Sequence, residues 1–200
     1  MVADQLMSRG IRDRRVLEAM LRVPRERFLP EALGEYAYDD RALPIDCRQT
    51  ISQPYIVALM AEALELSGDE RVLDVGTGSG YQAAVLAQLA KEVISIERHG
   101  PLSLEAARRL ADLGYDNIQC VIGDGTLGWP AKSPYDGILV AAGAARCPPA
   151  LVEQLAEGGR LVIPIGPGVD QMLKRLRKTD SRIEVENLSA CRFVPLIGAQ

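Results

Sequence analysis

Apolar residues follow two rhythms along this chain. Between Asp13 and Arg22, Val16, Leu17, Met20 and Leu21 recur at i, i+1, i+4 and i+5 with charges opposite, which predicts a helix docked by one face and ended by Pro24. Tyr55–Leu66 carries the same spacing at Ile56, Leu59, Met60 and Ala63. Further helices are predicted at Tyr81–Ala90, at Leu102–Leu113 before Gly114, and at Pro149–Ala156. Short apolar runs alternate with these helices at Arg71–Leu73, Val93–Glu97, Ile118–Ile122, Tyr135–Val140 and Arg160–Ile165, and each reads as a strand. Such alternation predicts a doubly wound α/β fold, a mostly parallel Rossmann-like sheet with helices on both faces. The tail runs Gln171–Lys178, Ile183–Leu188 and Cys191–Leu196 read as antiparallel edge strands, with the charges of Lys174–Lys178 discouraging edge-to-edge pairing. The expected organisation is a single domain: a helical N-terminal extension over 1–66 and the Rossmann-like core over 67–200.

After Leu73 the chain reads Asp74-Val75-Gly76-Thr77-Gly78-Ser79-Gly80 before a helix opens at Tyr81. Glycines at every second position allow positive φ and close approach of a ligand to the backbone. A dinucleotide fingerprint would place its third glycine at position 81, where Tyr81 stands, so a nicotinamide enzyme is disfavoured. Asp74 suits a ligand with a cationic end, such as the ammonium of S-adenosylmethionine, better than a pyrophosphate. Glu97 ends the next strand about 20 residues on, where a carboxylate can accept from two ribose hydroxyls. Asp124, between Gly123 and Gly125 at the end of a third strand, is placed to accept from an exocyclic amine such as that of adenine. The expected cofactor contacts are therefore Asp74, Gly76, Thr77, Gly78, Ser79, Gly80, Glu97, Asp124 and Gly125. Plainer readings are a simple turn for the glycines, a solvated charge for Glu97 and a turn former for Asp124.

Composition narrows the field. A hydrophobic share of 48% in 200 residues is ample for one core, and a net charge of −4 with 4% aromatics gives no general pull toward nucleic acid. The N-terminus carries Asp4, Arg9 and Arg12 instead of an apolar signal core, and no run is long enough to span a membrane, so a cytoplasmic protein is expected. Cys47, Cys120, Cys147 and Cys191 are far apart, with His99 the lone imidazole, so neither a metal site nor a disulfide framework is expected.

The segment Gln49–Tyr55 (QTISQPY) leads into the second helix. Ser52 reads equally well as that helix's N-cap and as a hydroxyl placed to receive an anion at the positive helix end. With this segment the chain resembles the bacterial protein-L-isoaspartate O-methyltransferases. The similarity runs through Pro24–Pro30 (PRERFLP), Leu43-Pro44-Ile45, QTISQPY, Val72–Ala87, Gly123-Asp124-Gly125, Gly128-Trp129-Pro130 and Phe193–Leu196 (FVPL). The resemblance implies methyl transfer from S-adenosylmethionine to the α-carboxyl of L-isoaspartyl residues in damaged proteins and peptides. It also implies Ser52 as the active-site residue, with Gln49, Thr50 and Ile51 beside the substrate. A soluble enzyme, expected to be a monomer without nucleic-acid or membrane partners, follows from the same reading.

An α-carboxyl with a pKa of roughly 3.3–3.7 is ionised at neutral pH and needs no general base, so the scarcity of histidine is no objection. One departure concerns Asp46-Cys47-Arg48, which stands where the family usually has a loop flanked by glycines. This restricts the backbone, and Arg48 is a candidate contact for a substrate carboxylate. Two other readings stay open at this level: a methyltransferase acting on a small molecule or RNA, and a protein that binds the cofactor but has lost transfer.

Overall fold

The computed structural model describes residues 1–168, 170–180 and 182–199. Helix α1 (Arg14–Arg22) starts where Asp13 accepts from the amides of Arg15 and Val16, a cap that contributes about 1 kcal/mol. It buries Val16, Ala19 and Met20, whereas Leu21, expected on the docked face, is 68% exposed. Two 3₁₀ turns, Arg25–Phe28 and Glu31–Tyr36, lead to a small antiparallel ladder of β1 (Leu43–Pro44) with β2 (Thr50–Ile51). Helix α2 (Pro54–Ala63) follows at once and stops short of the predicted Leu66, because Glu65 takes a left-handed conformation (φ 49°).

The main sheet is built from β3 (Arg71–Val75), β4 (Glu92–Glu97), β5 (Ile118–Ile122), β6 (Tyr135–Val140), β7 (Leu155–Ile165), β8 (Gln171–Thr179) and β9 (Arg182–Cys191). Its order is β5-β4-β3-β6-β7-β8-β9, parallel as far as β7 and antiparallel for the last two pairings. Helices α3 (Tyr81–Ala87), α4 (Gly100–Asp112) and α5 (Pro149–Glu153) occupy the crossovers. Consecutive strand residues serve opposite faces, as the two-residue period requires. Val72, Val93, Leu139 and Val162 join the core containing α1 and α2, while Leu73, Ile94, Ile138 and Leu161 join the one under α5.

Three expectations need correction. The helix over Pro149–Ala156 ends at Glu153, and Leu155 and Ala156 already belong to β7, whose ladder with β6 shifts register beside Tyr135 and Gly137. Strand β8 is interior, flanked by β7 and β9, so its basic residues do not guard an edge; Arg175 and Arg177 pair with Glu65, and Arg175 also with Glu186. Finally, Cys191–Leu196 is no separate strand: β9 reaches Cys191, and beyond it Pro195 bridges Gly143. Among the described residues no helix is long and apolar enough to cross a membrane.

Candidate active site at the carboxyl rim of the sheet

Strand β3 has β4 on one side and β6 on the other, so the chain direction around the sheet reverses there and leaves a crevice at the strand ends. A cavity of ≈ 330 Å³ occupies that crevice. Its floor is the turn after β3, where Gly76, Gly78 and Gly80 all have positive φ (101°, 52° and 91°). At Gly80 a Cβ would also stand 3.3 Å from Ala106 Cβ, so this glycine lets α3 sit against α4. Thr77 and Ser79 complete the turn: Thr77 Oγ1 lies 2.6 Å from Ser95 Oγ, and the Ser79 carbonyl accepts from Arg109 at 2.8 Å.

Glu97, buried at the end of β4, lines the cavity. Its Oε2 accepts from the Gly78 amide and Oε1 from the His99 amide, both at 3.0 Å. A carboxylate has about four lone-pair positions, so acceptors remain for a diol. Gly125 forms another wall; a Cβ there would come within 2.4 Å of Val75 Cγ1, so the position packs against β3 too closely to carry a side chain. These features fit a nucleoside with a charged tail.

Asp74 and Asp124 are not part of the lining. Asp124 Oδ1 accepts from the amide and hydroxyl of Thr126, and Oδ2 from the Ala199 amide at 2.7 Å. Burial opposes its ionisation, yet the bonds from Ala199 and Thr126 prevail and hold its pKa below the ordinary value. A ligand amine therefore meets Asp124 only at the lone pairs these bonds leave. Asp74 lies behind the turn, fully buried, with Oδ2 accepting from Ser95 Oγ at 2.7 Å and Oδ1 without a partner among the described residues. Burial pushes its pKa up from 3.8 to about 7, with Glu97 adding to the rise.

A carboxyl whose pKa is higher folded than unfolded holds extra protons in the native state, so stability falls as pH rises between the two values. Denaturant melts of the ligand-free protein between about pH 4 and 7 are expected to show a loss of a few kcal/mol attributable to Asp74. The difference between wild type and Asp74→Asn measures it, and parallel curves for the two proteins would contradict it.

The opposite wall comes from the acceptor segment. Gln49, Thr50, Ile51 and Ser52 all border the cavity, held by the β1–β2 ladder and by the Ile45 amide, which donates to the Gln49 carbonyl at 2.9 Å. Gln53, not Ser52, is the N-cap residue of α2, and no side chain bonds the first-turn amides. The capping reading of Ser52 is thereby removed, and Ser52 lines the cavity.

The loop at Asp46–Arg48 adopts the glycine-like path despite lacking glycine: Cys47 has φ 55° and Arg48 φ 58°. Left-handed conformations cost a non-glycine residue about 1–2 kcal/mol. Arg48→Gly is therefore expected to raise stability by about 1 kcal/mol, read as an increased urea midpoint; an unchanged or lower midpoint would show the loop to be unstrained. Among the described residues no ion pair joins Asp46 to Arg48, and both Cys47 and Arg48 border the cavity.

Several lining residues escaped the sequence reading. Gln82, Arg98, His99, Ala141, Ala142 and the Val194–Ile197 segment all contribute. His99, the lone imidazole of the sequence, borders the cavity and precedes α4. Only the FVPL similarity pointed toward the tail. Tyr36 and Tyr38 are exposed and lie outside the cavity, and Trp129 is a packing anchor whose carbonyl accepts from Tyr135 Oη at 2.6 Å. The thiols of Cys120, Cys147 and Cys191 are pushed up to about 11 by burial, and no group of metal-ligating side chains occurs among the described residues.

A glycine turn after the central strand, an acid ending the next one and a cavity across both define the class of S-adenosylmethionine-dependent methyltransferases. The family described as protein-L-isoaspartate(D-aspartate) O-methyltransferase (PCMT) matches residues 1–200. A protein-L-isoaspartate O-methyltransferase of Geobacter metallireducens is 56% identical over 199 residues, 99% of this chain and 92% of that protein. A solved protein-L-isoaspartate O-methyltransferase superposes with a TM-score of 0.85 at 33% identity, covering 96% of this chain and 63% of that one. A Plasmodium falciparum homologue solved with S-adenosyl-L-homocysteine gives a TM-score of 0.83 at 29% identity, covering 98% and 96%. The chain belongs to the protein-L-isoaspartate O-methyltransferase family.

Proposed function

We propose that this chain methylates the free α-carboxyl of L-isoaspartyl residues, with Ser52 orienting the acceptor and the rim of β3, β4 and β5 holding the donor. One observation carries the assignment of Ser52: its side chain caps no helix, and the residue lines the same cavity as the glycine turn and Glu97. S-adenosylmethionine, when bound, supplies a methyl group on a sulfonium centre. Glu97 would hold the ribose hydroxyls, the backbone at Gly76–Gly80 the amino-acid end, and Gly125 the face of the base. Asp74 favours the cationic end from behind the turn. Ser52 donates one hydrogen bond to the acceptor carboxylate and leaves the other oxygen directed at the donor; it forms no covalent bond. Ile51, Val57 and Leu196 give the same cavity apolar lining. Since the acceptor is already anionic, alignment is the main contribution, and proximity and orientation can supply on the order of 7–11 kcal/mol.

The substrates are damaged proteins and peptides, and the chain acts as a cytoplasmic monomer, with a net charge of −4 giving no attraction to nucleic acid. Labelled methyl transfer to a matched pair of peptides tests the reading: the isoaspartyl peptide is expected to accept methyl and its aspartyl counterpart not. Cofactor binding without transfer to isoaspartyl peptides would instead identify a protein that keeps the pocket alone.

A further inference from the structure

Arg25 is 0% exposed and, among the described residues, no carboxylate pairs with it. An unpaired buried cation is costly, and an apolar side chain of similar length would fill the same space more cheaply. Burial accordingly lowers its pKa. Its bonds show where it acts. Nη2 donates to the Ser52 carbonyl at 2.7 Å and Nε to the Ala37 carbonyl at 2.7 Å. The guanidinium carbon lies 4.7 Å from the centre of the Tyr81 ring, and Phe28 meets the same ring edge-on at 5.5 Å. Tyr81 opens α3 directly after the glycine turn and borders the cavity. One rigid, planar group therefore touches the acceptor segment on one side and the donor turn's helix on the other.

We propose that Arg25 is a positioning residue: by bonding the Ser52 carbonyl while stacking on Tyr81, it fixes the separation between the Ser52 hydroxyl and the donor's reactive end. It acts through Ser52 and touches neither substrate. The proposal rests on the role given to Ser52 above. Lysine cannot reproduce it, because a point ammonium lacks the planar fork that holds two carbonyls at once.

The test uses the full chain, S-adenosylhomocysteine and an isoaspartyl peptide. Arg25→Met is expected to lower kcat by about 10²-fold, the cost of a misplacement near 1 Å, and Arg25→Lys by about tenfold. S-adenosylhomocysteine affinity should stay within about threefold in both, since the cofactor's own contacts are intact. In the Ser52→Ala background, Arg25→Lys should change kcat by less than about twofold, because a residue acting through Ser52 has nothing left to position. A purely structural role would instead lower the melting temperature and leave kcat, measured well below it, within about threefold of wild type; that result overturns the proposal. Additive losses in the double variant overturn it too. If neither single variant folds, Arg25 belongs to the scaffold and the proposal fails. Absence of methyl transfer by the wild type would overturn the functional reading itself, a separate outcome.

Discussion

Ser52→Ala is expected to lower kcat on an isoaspartyl peptide by about 10²-fold or more, with S-adenosylhomocysteine affinity within about threefold of wild type. The asymmetry follows from the roles proposed above: Ser52 lines the cavity on the segment assigned to the acceptor, while the glycine turn and Glu97 are assigned to the donor. Stability separates the roles further. A capping serine would cost about 1 kcal/mol on replacement, but α2 has no side-chain cap, so the melting midpoint should correspond to a change below about 0.5 kcal/mol. The Ser52 carbonyl, held by Arg25, survives in alanine, so the segment keeps its path. A drop in stability with kcat nearly intact would return Ser52 to a structural role.

Glu97→Ala should show the converse pattern. Hydrogen bonds to a charged acceptor are worth about 1.5–3 kcal/mol each, so losing those to two ribose hydroxyls predicts an affinity loss of at least about 10²-fold for S-adenosylhomocysteine. The loss grows because the same carboxylate fixes the amides of Gly78 and His99, and with them the turn and the start of α4. Glu97→Gln keeps one oxygen acceptor and should lose less. Titration calorimetry reads both variants, and kcat at saturating donor should recover to within about tenfold of wild type. An affinity within about threefold of wild type for Glu97→Ala would mean that the ribose is held elsewhere.

Much of this architecture could be read from local patterns, because each strand and helix that builds the cofactor half is encoded by its own neighbours. The run Val72-Leu73 alternates between faces, the three glycines occupy positive φ, and Glu97 ends β4 as expected. What escaped was set by tertiary partners. Strand β8 looked like an edge because its charges are exposed in sequence terms, yet Glu65 on a distant turn pairs with them and lets β9 cover the other side. Helix α5 lost its last residues to β7 because the ladder with β6 recruits Leu155 opposite Tyr135. Asp74 and Asp124 were legible as acids beside the turn and the third strand, but their hydrogen bonds to Ser95, Thr126 and Ala199 arise from folding, not spacing. Arg25 stood in the PRERFLP similarity with no role attached; its burial and its bonds to the Ala37 and Ser52 carbonyls, beside Tyr81, give it meaning.

The cavity draws its walls from segments near residues 50, 78, 97, 125, 141 and 195. Such a composite pocket exists only when the central strands, the amino-terminal turns and the last segment of the chain have all docked. Ligand binding should therefore slow hydrogen exchange across the most protected amides of β3, β4 and β6 as well as at the loops, because the bound state is linked to global unfolding more than to local fraying.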